Sequence, residues 1–93
     1  MTLKGAVAVL TGGAGWIGSA SALAVGAAGA TVVVTGRQAE TAELTAQKVR
    51  DAGAQAWSRG LDVLEEAQVE TVFDEVIERH ARIDFTRQRL HRR

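Results

Sequence analysis

The sequence predicts an α/β fold in which helices cover both faces of a parallel sheet, and three observations carry that expectation. Residues 6–10, Ala-Val-Ala-Val-Leu, are apolar without alternation, the pattern of a strand buried on both faces. A second β-branched run, Thr31-Val32-Val33-Val34-Thr35, follows a small-residue helical segment too closely for anything except a right-handed strand-helix-strand crossover. Further on, Val69, Val72, Phe73, Val76 and Ile77 recur at i, i+3, i+4, i+7 and i+8, the stripe of an amphipathic helix.

The first strand is expected over residues 4–10, and the helix after it over 19–28. Ile17, Ala20, Leu23, Ala24 and Ala27 form its predicted buried face, and Gly29 suits the left-handed residue beyond its last turn. The second strand occupies residues 31–35. A second helix over 39–52 places Thr45, Lys48, Val49 and Ala52 on one face and stops at Gly53. The third strand, residues 55–59, carries Trp57 as a core residue. The third helix has Glu65 and Glu66 at its N-terminal end and Arg79 and His80 at its C-terminal end, in agreement with the helix dipole.

Arg82-Ile83-Asp84-Phe85 begins a fourth strand, but from residue 86 to 93 only Leu90 is apolar. The expected organisation is three strands and three helices plus the start of a fourth strand, half of a doubly wound sheet. Residues 1–85 form the domain and 86–93 a basic tail, non-native or disordered. The first strand then keeps an apolar edge at residues 6–10, and marginal stability or self-association of the chain is expected.

Ninety-three residues allow one domain, and a chain of that length buries only about 60–65% of its unfolded surface. With 46% hydrophobic and 24% charged residues the composition is that of a globular protein. No apolar run approaches the length of a membrane span and no cleavable signal pattern opens the chain, so a cytoplasmic location and no membrane partner are expected. The absence of cysteine excludes disulfides and thiolate chemistry, and two isolated histidines give no metal site. Zero net charge conceals an asymmetry. Residues 1–78 hold five Lys/Arg against ten Asp/Glu, whereas 79–93 hold six Arg against Asp84 alone. The basic end lacks interleaved aromatics, and no nucleic-acid role is expected of it.

The chemistry concentrates in Thr11-Gly12-Gly13-Ala14-Gly15-Trp16-Ile17-Gly18, between the first strand and the first helix. A Gly-rich turn there offers backbone N–H groups and the positive end of a helix dipole to a phosphate. Gly12 permits the tight exit from the strand, Gly15 the close approach of a pyrophosphate, and Gly18 the packing of helix on strand. The same glycines also suit packing alone.

These residues resemble the short-chain dehydrogenase/reductase family across nearly all of residues 3–85. The compact branch has T-G-x-x-x-G-x-G, matched here by Thr11, Gly12 and Gly18 with Trp16 in place of a glycine. The extended branch has T-G-x-x-G-x-x-G, which Thr11, Gly12, Gly15 and Gly18 satisfy in full. Downstream, Val34-Thr35-Gly36-Arg37, Leu61-Asp62-Val63 and Arg79-His80-Ala81-Arg82-Ile83-Asp84 all resemble the compact branch, which we favour. The resemblance implies a partial Rossmann fold and an NAD(P)(H)-binding site with Thr11, Gly12, Gly15, Trp16, Ile17 and Gly18 at the pyrophosphate. Asp62 would accept from the adenine amine and Val63 would border the base through its backbone. Gly36 stands where a ribose-binding carboxylate is expected and Arg37 follows, so NADP(H) is favoured over NAD(H). Asp62 also has a simpler reading, as an acidic residue ahead of a helix.

The family's chemistry uses a Tyr-x-x-x-Lys pair with a Ser and an Asn. This chain contains no Tyr and no Asn, and its lysines, Lys4 and Lys48, precede the region concerned. No catalytic residue is assigned, and the chain as given is expected to be a truncated, inactive part of an oxidoreductase interconverting carbonyl and secondary alcohol. The alternatives are a non-catalytic nucleotide-binding remnant and part of an extended-branch nucleotide-sugar epimerase or dehydratase. Residues 86–93 are further expected to be an out-of-frame reading of the family's fourth strand. The substrate is not legible.

Overall fold

A computed structural model describes residues 3–11, 16–62, 64–80 and 85–87. The elements run β1 (Val7–Thr11), α1 (Trp16–Ala27), β2 (Thr31–Gly36), α2 (Ala39–Asp51), β3 (Ala56–Gly60), α3 (Glu66–His80) and β4 (Phe85–Arg87). Every strand pair is parallel, and the sheet order is β3-β2-β1-β4. This is the α/β, doubly wound architecture that the sequence predicts.

Parallel strands with helices above and below must be apolar on both faces, and β1 and β2 are. Leu10, Val32 and Val34 face a layer built with Ala22 of α1 and Ala42, Ala46 and Val49 of α2. Val7, Val9 and Val33 face the opposite way, onto Leu61 and Val72 and Val76 of α3. Val9, Val32, Val33 and Val34 are fully buried, each stabilising the fold by about 1.5 kcal/mol or more through apolar burial. The switch of faces between α2 and α3 returns the chain across the sheet to place β4 beside β1.

Several expectations are corrected. β1 begins at Val7 rather than residue 4, because Lys4 and Gly5 form a turn whose start is tied down by a Leu3 N–H to Ala28 carbonyl bond of 2.6 Å. Among the described positions of α1, residues 20–27, the buried ones are Ala22 and Gly26, while Ala20, Ala24 and Ala27 are exposed and Leu23 is half-buried; the side chain of Ile17 lies outside the described ones. With alanine and glycine nearly all round the helix, periodicity did not select a face; contact with α2 did. In α2 the buried face is Ala42, Thr45, Ala46 and Val49, and Lys48 and Ala52 are exposed. Alanines supply that stripe, and the Lys48 ammonium stays in water.

The edge of β1 is also not bare. β4 pairs with it at Ala8↔Phe85, Val9↔Thr86 and Leu10↔Arg87, so the start of the fourth strand reaches two residues beyond 85. Gly29 ends α1 as expected, at φ +107, and a Cβ there would lie 3.0 Å from the backbone nitrogen of Lys4. Both conformation and space therefore require glycine.

Candidate functional site

A parallel sheet brings the C-terminal ends of all its strands to one edge, and here that edge collects the residues singled out by sequence. Thr11 ends β1 opposite Thr35, and Gly36 ends β2 opposite Gly60 of β3. Trp16, Ile17 and Gly18 open α1, so the helix begins within five residues of the end of β1 and directs its positive dipole end toward the same edge. Gly12, Gly15 and Val63 lie outside the described residues.

The end of β2 is held from both sides. The Thr35 hydroxyl, fully buried, donates to the Leu10 carbonyl at 3.0 Å. The Leu61 N–H donates to the Gly36 carbonyl at 2.7 Å. Gly36 is buried and brings no side chain to the edge, while Arg37 immediately after it is exposed. Among the described residues Arg37 has no ion-pair partner, so an exposed, unpaired guanidinium follows the strand end. Gln38 adopts an extended conformation, φ −107 and ψ 115, ahead of α2, and gives α2 no side-chain cap.

Asp62 follows β3 in a turn held by its own groups. Its Oδ1 accepts from the Leu64 N–H at 3.0 Å, and its carbonyl accepts from the Glu65 N–H at 2.9 Å. Its own N–H donates to Oε1 of Gln68 in the first turn of α3, also at 3.0 Å. The local role as a helix-leading acid is thus realised, and Oδ2 remains as an acceptor. Thr35 and Gln68 were not singled out by sequence. A hydroxyl inside a valine run and a Gln three residues into a predicted helix were the available signals.

Trp57 is half-buried rather than core. Arg59 and Arg79 set their guanidinium carbons 4.8 and 4.3 Å from its ring centroid, and its Nε1–H donates to Nε2 of His80 at 3.1 Å. His80 is therefore an acceptor for the indole and not simply a charge at the end of α3. Glu75 binds both arginines, Arg59 Nε at 2.9 Å and Arg79 at 3.1 Å. Hydrogen bonding from Arg59 holds its carboxyl below the ordinary value of 4.5 despite partial desolvation. On the other face of β3, Ser58 donates to Glu43 at 2.6 Å, and this bond together with Arg50 lowers the Glu43 carboxyl likewise.

Among the described residues no group of three or more acidic, His or Cys side chains is placed to hold a metal ion, and no helix is long and apolar enough to cross a membrane. Neither described lysine belongs to the edge. Lys4 precedes β1 at the opposite end of the strands, and Lys48 is exposed on α2. The donor set fits a dinucleotide: a helix N-terminus, a strand end without a side chain, a free guanidinium and a carboxylate oxygen on one rim.

The family model described as short chain dehydrogenase matches residues 6–86. Dehydrogenase/reductase SDR family member 1 of Mus musculus is 38% identical over 74 residues, 80% of this chain and 24% of the relative. Among solved structures, a metagenomic short-chain oxidoreductase in complex with NADP is 32% identical with a TM-score of 0.87, covering 92% of this chain and 39% of that one. The structure of NAD+-bound xylitol dehydrogenase is 31% identical with a TM-score of 0.87, covering 92% of this chain and 33% of that one. The chain spans about a quarter of the curated relative's length.

Proposed function

The chain belongs to the short chain dehydrogenase family, and from that premise we propose that it is the NADP(H)-binding portion of an oxidoreductase interconverting a carbonyl and a secondary alcohol. The observation that carries the cofactor assignment is Arg37, exposed and without an ion pair to any described residue, directly after the buried Gly36. A carboxylate at the end of β2 would accept from the ribose hydroxyls of NAD(H) and repel a 2′-phosphate. A free guanidinium does the reverse and can grip the phosphate through two parallel N–H bonds. Structural neighbours include one bound to NADP and one to NAD+, and the choice between them rests on this chain's own residues.

In this reading Thr11, Gly12, Gly15, Trp16, Ile17 and Gly18 receive the pyrophosphate against the start of α1. Asp62 accepts from the adenine amine through Oδ2, and Val63 borders the base. The nicotinamide, when bound, supplies or takes up the hydride. The 93 residues bind and orient; with no Tyr, no Asn and no lysine at the C-terminal edge, they lack the acid/base set that the family resemblance implies for a substrate oxygen. The chain by itself is inactive in this reading. A cytoplasmic location goes with it. The absence of catalytic side chains also favours a second reading, a nucleotide-binding remnant that never carries out chemistry.

Fluorescence titration of the purified chain with NADPH and NADH tests the proposal. Saturable binding with NADPH the tighter ligand is expected, with no turnover of family-type alcohols or ketones. Failure to bind either nucleotide overturns the site, equal affinities overturn the preference, and steady-state turnover overturns the inactive reading.

A further inference from the structure

We propose that Gln68 is a positioning residue that sets this chain's discrimination for adenine by holding Asp62 from six residues away. The proposal rests on the reading that Asp62 receives the adenine amine. Gln68 occupies the third position of α3, a fifteen-residue helix anchored by Val72 and Val76, so its side chain is presented from a rigid element. Its Oε1 accepts the Asp62 N–H at 3.0 Å. The remaining groups of Asp62 are engaged by the turn itself, Oδ1 by Leu64 N–H and the carbonyl by Glu65 N–H. The Glu65 N–H that reaches the Asp62 carbonyl belongs to the residue whose own carbonyl accepts from Gln68 N–H and Val69 N–H, so the turn is already tied to the start of α3 through its backbone, and the Gln68 side chain adds a second tie. The Gln68 bond holds Asp62 at its backbone nitrogen and, together with the Leu64 N–H on Oδ1, narrows the directions open to Oδ2. Gln68 is exposed, so the side chain fills no core space, and its value lies in the oxygen it offers. In its absence the Asp62 N–H turns to water, and the carboxylate samples a wider set of orientations before any ligand arrives. Ordering it again is then charged against binding of a base that carries an exocyclic amine, and against no other base.

The measurement is a pair of affinities on the full 93-residue chain: NADP+ and its hypoxanthine analogue, which has a carbonyl where adenine has its amine. A carboxylate aimed at that amine gives a preference for the adenine compound of roughly tenfold, the size of one charge-assisted hydrogen bond. Gln68→Ala is expected to reduce the preference to about twofold or less by weakening NADP+ alone. Gln68→Glu, which keeps an acceptor oxygen at the same reach, is expected to restore it. Circular dichroism on each variant shows that α3 remains folded. Equal weakening of both nucleotides by Gln68→Ala, or an unchanged preference, overturns the positioning role while leaving nucleotide binding intact. An unmodified chain that binds both compounds equally refutes the Asp62 contact, and the inference with it. A chain that binds neither overturns the whole site.

Discussion

The indole N–H of Trp57 on β3 donates to Nε2 of His80, the last residue of α3, across 3.1 Å, and the two rings stack with centroids 6.1 Å apart. Twenty-three residues separate them in the chain, so the contact ties the end of α3 to the outer strand of the sheet. His80→Ala should cost about 0.5–1.5 kcal/mol and shift Trp57 emission to the red, measured in a Trp16→Phe background. His80→Gln, which offers an oxygen acceptor, should recover part of both effects.

Gly26 is buried where α1 crosses α2. A Cβ there would lie 2.9 Å from Val49 Cγ1 and 3.0 Å from the Ala54 Cβ. Val49 is fully buried and β-branched, so it has little rotamer freedom with which to retreat. Gly26→Ala gains helix propensity of about 1 kcal/mol but overpacks the crossing by about 1–3 kcal/mol. A net loss is expected in urea unfolding. Combining it with Val49→Ala should cost less than the sum of the two single changes, because the truncated valine vacates the space that the new methyl needs.

Acid should weaken the fold through Glu75 and Glu43. Both carboxyls lie lower in the folded chain than their ordinary 4.5, Glu75 chiefly through Arg59 and Glu43 chiefly through Ser58. Their stabilisation is complete above the unfolded value and is lost as pH falls through the depressed folded values. Urea midpoints should therefore be unaffected by these groups above about pH 5 and decline below about 4.5. Glu75 is the less exposed, at 25% against 50% for Glu43, so Glu75→Gln should flatten the decline more than Glu43→Gln, and added salt should shrink both effects.

Thr35 offers a test of the site's frame. Its buried hydroxyl donates to the Leu10 carbonyl, one residue before the end of β1. Thr35→Val keeps the shape and removes the donor, and a loss of about 1 kcal/mol in unfolding free energy is expected. A change smaller than about 0.3 kcal/mol would show that the carbonyl is fully satisfied without it.

Arg37→Ala should abolish the preference for NADPH over NADH, lowering NADPH affinity by roughly 10–100-fold, the range of a bond to a charged group. NADH affinity should change much less. Because Arg37 is exposed and makes no ion pair with a described residue, the substitution should leave the unfolding midpoint in place, and a large shift there would assign the side chain a structural role instead.

The order of elements was legible because each is written in a local pattern. The unbroken apolar runs read as strands buried on both faces, and the α3 stripe put Val72 and Val76 in the core, but Ile77, expected in the same stripe, is 48% exposed. The strand ends were legible for the same reason. Thr11 ends β1, Gly36 ends β2 and Asp62 comes just after β3, and parallel strands deliver their ends to one edge. The assignment of faces failed in α1, where alanine and glycine occupy every side, and in α2, where Ala42 and Ala46 carry the stripe without large side chains to announce it.

The sequence by itself determined the strand and helix order, the parallel sheet and the family, because periodicity and turn residues act over a few positions. Only the tertiary structure decided that Ala22 and Gly26 face inward, that β4 covers the edge of β1, that Trp57 shares a hydrogen bond with His80, and that Gln68 holds Asp62. Each of these depends on which surfaces the crossovers bring together. A small residue or a single polar atom has no preferred neighbour until packing and the need to satisfy its hydrogen bonds supply one.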